Sequence, residues 1–318
     1  MGMAWLRFFT SILVFSALWH PGVKASDFDY PLARITDKIQ VIYGPFGLPD
    51  KRNHGFANNI VIVSTSKGLV IFDPGGSAYA GEMTARKMKT VTQAPIVAMF
   101  NSHVHGDHWL GNEGIKKIYP DAVIYAHPTA KARIEGVDGE FWLEMTNRLT
   151  EGTAGGKRVV GPDKTVEHGD VVEIGDTSFR IYHTGPAHTD NDIMIEVVGE
   201  SALFMGDVVR NGALGVMEED ASFKGNVVAI DLILEKQFKY YIPGHGRAGG
   251  IEVPEKYRVY LDTLRNMVKQ LYAQELADFE MKPKVINAVR AYEKWAGFET
   301  RLGPHISRAY LEIEAEEF

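Results

Sequence analysis

No cysteine occurs among the 318 residues. The chain can therefore form no disulfide, offer no thiolate to a metal and carry no thiol nucleophile, so its stability cannot rest on covalent cross-links. Long apolar runs are missing too. The run Phe8 to Trp19 has twelve residues and includes Thr10, Ser11 and Ser16, against roughly 20 needed to span a bilayer. Basic character is also scarce, with 34 Lys+Arg against 41 Asp+Glu for a net charge of −7 and no basic stripe interleaved with aromatics. Such a field repels polyanions and argues against nucleic acid as a partner. Neither a short fixed-period repeat nor a low-complexity tract is present.

What remains is an ordinary globular composition, 45% hydrophobic, enough for a substantial core in one large domain or two small ones. The first 25 residues stand apart. Arg7 precedes the apolar run, His20-Pro21-Gly22 breaks it, and Val23-Lys24-Ala25 supplies small residues for cleavage, the pattern of a signal peptide. The expectation is a periplasmic or secreted protein cleaved after Ala25, with no stable membrane insertion afterwards. Loss of Arg7 and Lys24 takes the net charge to −9.

From Ile39 onward, short β-branched runs broken by Gly, Asp and Pro read as strands: Ile39 to Tyr43, Ile60 to Val63, Leu69 to Phe72 and Ile96 to Phe100. Helical spacing at Ala78 to Met88 makes the first half an alternation of strands and helices. A polar insertion near Glu151 to Asp163 precedes a second strand-rich set, at Val171 to Ile174, Ser178 to Tyr182, Ile193 to Val197 and Ala202 to Met205. Two sheets are expected. After Gly246 the spacing turns helical at Glu252 to Gln274, Pro283 to Lys294 and Arg301 to Glu316. The expected division is a leader at 1–25, a main domain at 26–250 and a helical extension at 251–318.

Directly after the buried strand ending at Phe100 comes Asn101-Ser102-His103-Val104-His105-Gly106-Asp107-His108, with four potential metal ligands in six positions. In an extended segment the side chains of His103 and His105 point the same way, while a turn at Gly106 lets Asp107 and His108 face a second point. Imidazole with carboxylate suits zinc. Further donors stand in Gly185-Pro186-Ala187-His188-Thr189, Met205-Gly206-Asp207-Val208 and Pro243-Gly244-His245-Gly246, each after a predicted strand and beside a turn-forming Gly.

The complete His-x-His-x-Asp-His signature at 103 to 108, with these three segments, resembles the metallo-β-lactamase superfamily over Ile39 to Arg247. The resemblance implies an α/β fold, a four-layered αβ/βα sandwich with metals at one edge of two packed sheets. It further implies that His103, His105 and His188 hold a first metal, that Asp107, His108 and His245 hold a second, and that Asp207 bridges them. Asp73, in Val70-Ile71-Phe72-Asp73-Pro74-Gly75, matches a family aspartate that accepts a hydrogen bond beside the ligands. His183 competes with His188 but lies in the preceding strand. His54, in a segment that overhangs the site in family members, is a candidate substrate contact. His127, His168 and His305 read as packed or surface histidines, and Trp109 and Trp142 as packing, with Trp109 able to wall the pocket.

For function the resemblance implies an enzyme with two Zn2+ per chain, iron being the alternative metal. Its hydroxide nucleophile would be oriented by the catalytic Asp107 and would attack a small ester, thioester or lactone. His105 occupies the place of a glutamate in the oxygen-reducing diiron branch, which argues against that chemistry. Asp207 resembles the ligand set of glyoxalase II, and not the Cys or Ser of the antibiotic-hydrolysing enzymes. Arg308 to Glu314 resembles exported quinoprotein relay system zinc metallohydrolases, which implies a quinoprotein dehydrogenase partner. A periplasmic β-lactamase, a mononuclear iron persulfide-oxidising enzyme and a metal-bearing accessory protein are the competing readings.

Overall fold

The computed structural model describes residues 30–317; the leader expected at 1–25 lies outside them. A first sheet runs in sequence order through β1 (Leu32–Arg34), β2 (Ile39–Ile42), β3 (Ile60–Thr65), β4 (Gly68–Phe72), β5 (Ile96–Phe100), β6 (Val123–Ala126) and β7 (Lys164–Thr165). It is antiparallel from β1 to β4 and parallel from β4 to β7. The second sheet has the order β12 (Tyr240–Ile242), β11 (Ala202–Phe204), β10 (Met194–Val197), β9 (Thr177–Tyr182), β8 (Val171–Ile174). Only β11 and β12 pair in parallel there.

Between the sheets, Val61, Val63, Val70, Phe72 and Phe100 of the first meet Phe179, Ile181, Ile195 and Phe204 of the second. The alternate residues Ile60, Ile62, Ile71 and Met99 point outward into a second core beneath α1 (Ala78–Val91) and α2 (Asn112–Ile118), and α3 (Pro128–Ile134) and α4 (Val137–Leu149) follow β6. Both faces of β3 to β5 are thus buried, which is why these strands read as continuous apolar runs. Ser77 starts α1 by accepting from the Ala80 amide at 3.0 Å. On the far side, α5 (Phe223–Glu235) and α6 (Glu252–Tyr272) cover the second sheet with α7 (Asp278–Ala288) and α8 (Phe298–Glu317). The result is the expected four-layered αβ/βα sandwich.

One core joins Leu203 and Tyr241 of the second sheet to Ile230, Tyr257, Leu264, Leu302 and Ile306. The helices after residue 251 therefore pack as an outer layer of the sandwich. α7 begins at Asp278, earlier than the expected Pro283. The Glu280 carboxylate accepts from the Ala277 amide at 3.0 Å and starts the helix, and Pro283 sits inside it. No helix of the described residues is long and apolar enough to cross a membrane.

The topology sends the chemistry-bearing segments to one edge. Phe72 pairs with Phe100 and Phe204 with Ile242, so Asp73, the run from Asn101, Asp207 and His245 all come after neighbouring strand ends. Cross-links fix the seam between the sheets: Asn59 N donates to Gly244 O at 2.7 Å and Ile193 N to Ser102 O at 2.8 Å. The Asn59 side chain donates to Pro243 O and Gly246 O.

Candidate metal centre

At that edge the side chains of His103, His105 and His188 converge, as do those of Asp107, His108 and His245, and Asp207 stands with His103 and His108. Within the first group His188 Nε2 lies 3.0 Å from His105 Nδ1. In the second, Asp107 Oδ2 lies 3.1 Å from His245 Nε2 and 3.4 Å from His108 Nε2, with the two imidazole nitrogens 3.3 Å apart. Asp207 spans both: Oδ1 is 3.5 Å from both His108 Nε2 and His245 Nε2, and Oδ2 is 3.6 Å from His188 Nε2.

These side chains are buried apart from Asp107, whose side chain is 21% exposed. Among the described residues, His103 Nε2, His105 Nε2, His188 Nδ1 and Asp207 Oδ1 have no hydrogen-bond partner. Buried polar atoms without partners are costly, and here they accompany donors spaced about as ligands around a four-coordinate ion at roughly 2.0–2.2 Å would be. The donor set fits metal ions. Its charge agrees, because the three carboxylates of Asp73, Asp107 and Asp207 meet the one guanidinium of Arg210.

Three of the nitrogens facing away from the two foci are held by the surrounding protein, as is common for metal-ligating imidazoles. His108 Nδ1 donates to Asp73 Oδ2 at 2.6 Å, His245 Nδ1 to Ala57 O at 3.1 Å, and His103 Nδ1 pairs with Ser102 Oγ at 2.9 Å. Asp73 also accepts from Ser102 N and Ser102 Oγ, each at 2.7 Å. It therefore sets both the entry of the ligand run and the tautomer of His108. Its φ of +52° is one of few positive values at a non-glycine position, and the short polar side chain of Asp tolerates it. Gly244 is needed for contact: a Cβ there would lie 2.3 Å from Asp207 Oδ1.

Burial works to raise the Asp107 and Asp207 carboxyls. Nearby His108 and His245, joined on Asp207 by Arg210, instead hold both well below the usual carboxylate range. Burial likewise opposes protonation of His108, yet Asp107, Asp207 and Asp73 hold it well above the ordinary histidine value. Burial and neighbouring imidazoles push His103 and His188 well below it. A cation at the focus of Asp107 and Asp207 would take over the role of the His108 proton.

Several neighbours carried no sequence signal. Arg210 pairs with Asp207 Oδ2, and its place one turn after the aspartate was the single available clue. Glu218 Oε2 lies 3.6 Å from His105 Nε2, on the ring edge away from His188. Trp142, expected as packing, stands against His105 with ring centroids 5.2 Å apart. Trp109 does not wall the pocket: it is 1% exposed and donates from Nε1 to Val104 O. His183 turns away to stack on His127 at 4.1 Å, His54 stacks on Tyr79, and His305 is buried between Tyr260 and Gly215 O.

The family model described as the metallo-beta-lactamase superfamily matches residues 53–269, more than half of the chain. The chain belongs to the metallo-β-lactamase superfamily. Among curated superfamily relatives, the hydroxyacylglutathione hydrolase of Francisella tularensis subsp. novicida is 25% identical over 170 residues, covering 54% of each chain. That of Francisella philomiragia is 30% identical over 118 residues, covering 37% of this chain and 36% of the relative. The chain spans about half the length of the first of these. A metallo-β-lactamase from Pontibacter korlensis superposes with a TM-score of 0.58 at 20% identity, over 74% of this chain and 99% of the other. The sec-alkylsulfatase Pisa1 from a Pseudomonas species gives 0.66 at 18% identity, over 88% of this chain and 50% of its own. These two show the shared fold.

Proposed function

We propose that this superfamily member is a dinuclear zinc hydrolase of a small ester, thioester or lactone, with His103, His105 and His188 at one ion, Asp107, His108 and His245 at the other, and Asp207 shared. The observation that carries the reading is the division of Asp207, one carboxylate oxygen toward each group of donors. Two divalent cations supply, when bound, a hydroxide near neutral pH and a positive charge for the oxygen of the reacting carbonyl. Asp107, the one partly exposed ligand, is placed to orient that nucleophile and hand a proton to the leaving group. Asp73 keeps His108 in the tautomer that leaves Nε2 free for a metal. Arg210 holds Asp207 ionised.

The hydroxyacylglutathione hydrolase relatives support a thioester within this class. Export to the periplasm or beyond, from the leader at 1–25, and a quinoprotein dehydrogenase partner complete the reading. Elemental analysis of protein expressed without chelators, paired with an ester, thioester and lactone panel, tests it. Two zinc ions per chain with metal-dependent turnover is expected. One iron with little zinc, or a panel without turnover, overturns it.

A further inference from the structure

Each group of donors contains one imidazole that turns its second nitrogen to a carboxylate. In the second group this is His108, on the buried Asp73. In the first it is His105. Its Nδ1 lies 3.0 Å from His188 Nε2, which itself stands 3.6 Å from the shared Asp207, so Nδ1 is the nitrogen that faces the ion. Nε2 then points out of the focus and carries the proton of a metal-bound imidazole. That nitrogen is buried and, among the described residues, has no hydrogen-bond partner. The acceptor that faces it is the carboxylate of Glu218, with Oε2 at 3.6 Å. Trp142, which also packs on this ring, offers only a donor.

The chain brings Glu218 to this place on a loop, residues 212–222, that is fixed at both ends. At its start Leu214 N donates to Ala296 O and His305 Nε2 to Gly215 O, both at 2.9 Å. At its end Asp220 pairs with Arg133 of α3. Ser222 N donates to Ala187 O at 2.8 Å, beside the ligand His188, and the Ser222 hydroxyl caps α5. Between these anchors Glu218 has one ionisable partner within 4.0 Å among the described residues, His105. Its side chain is 43% exposed, so the carboxylate is free to close from 3.6 Å to a normal N–H···O length of about 2.9 Å.

We propose that Glu218 is a positioning residue for the first ion: its carboxylate accepts from His105 Nε2, turns Nδ1 toward the ion and raises the basicity of that ligand. The proposal rests on the metal-bearing part of the hydrolase reading and is independent of the substrate. Zinc constants of the full chain are measured by competition with a chromophoric chelator for wild type, Glu218→Gln and Glu218→Ala. The same proteins loaded with Co2+ are followed by proton NMR, in which the exchangeable N–H protons of metal-bound imidazoles are shifted clear of the other signals.

In Glu218→Ala one zinc constant is expected to weaken about 10- to 100-fold, as on loss of other partners of ligating imidazoles, while the second holds. Glu218→Gln, whose amide oxygen still accepts, should fall between. One shifted N–H signal should exchange with solvent faster in Glu218→Ala, a change that a purely structural loop contact would not produce. Wild-type constants in Glu218→Ala, equal weakening of both constants, or unchanged N–H exchange overturns the proposal. Two bound ions with Glu218-dependent affinity but no turnover of esters, thioesters or lactones would uphold Glu218 and remove the hydrolase reading. A single bound ion whose constant depends on Glu218 would uphold the site and remove the second ion.

Discussion

Replacing Asp73 by Asn isolates the hydrogen bonds that support the second group of donors. The backbone at residue 73 has φ +52°, a conformation Asn adopts at least as readily as Asp, so the substitution adds no strain. Oδ1 of the asparagine can still accept from Ser102 N. Its amide nitrogen, however, replaces the oxygen 2.6 Å from His108 Nδ1, and two N–H groups cannot face each other. His108 must then keep its proton on Nε2, the nitrogen 3.4 Å from Asp107 and 3.5 Å from Asp207, and a metal there would have to displace it. Loss of such support weakens metal binding about 10- to 100-fold, or about 1.4–2.7 kcal/mol at 1.36 kcal/mol per decade. Competition with a chromophoric chelator measures both zinc constants. The second is expected to weaken within that range and the first to change less, because His103 is reached from Asp73 through Ser102 Oγ. Two wild-type constants in Asp73→Asn would refute the reasoning.

Asp107→Ala should fold and bind the first zinc yet lose the second and lose turnover by about 100-fold or more; full turnover with the second zinc absent would contradict the assigned role. Gly244→Ala, which forces a Cβ to 2.3 Å from Asp207 Oδ1, should lower zinc content and the melting temperature together, read by elemental analysis and calorimetry. Removal of residues 252–318 should abolish folding. Tyr257, Tyr260, Leu261, Leu264, Leu302 and Ile306 are each at most 1% exposed, and their burial at about 1.5–3 kcal/mol each matches or exceeds the whole stability of a typical domain, about 5–15 kcal/mol. A folded, monomeric truncation would count against it. His305 is buried neutral with its pKa pushed down to about 4 by burial. The unfolded chain therefore takes up a proton first as pH falls below about 6.5, and stability is lost between there and about pH 4. The difference reaches about 2 kcal/mol at pH 5, and Arg210 and Arg301 nearby act in the same direction. Denaturant titrations at pH 7.5 and pH 5 should show a smaller loss for His305→Gln than for wild type.

The candidate donors were legible because four of them share one six-residue stretch directly after the apolar run ending at Phe100, and because the other three stand beside turn-forming glycines. Asp73 was legible for the same reason, as the residue after Phe72. Glu218 and Trp142 were not, since each reaches the centre by tertiary packing from a loop or helix with no local pattern, and Arg210 offered only its place three residues after Asp207. α7 shows a different limit. Proline commonly marks the first turn of a helix, which drew the expected start to Pro283, whereas the Glu280 carboxylate capping the Ala277 amide starts it five residues earlier. The continuity of the second sheet with α6 and α8 in one core also left no trace in composition, because an amphipathic helix reads alike whether its apolar face meets a sheet or only other helices.

The seam between the sheets has a thermodynamic meaning. His103, His105, Asp107 and His108 leave the first sheet, while His188, Asp207 and His245 leave the second, so any ion held by both sets is also a clasp between two halves of a chain that has no covalent one. An ion at a thousand times its dissociation constant adds about 4 kcal/mol to the folded state, comparable to a disulfide closing a long loop. Occupancy and folding then become one equilibrium: scarcity of metal would expose the chain to proteolysis before it merely silenced it, and the abundance of intact protein would track the metal supply of its surroundings.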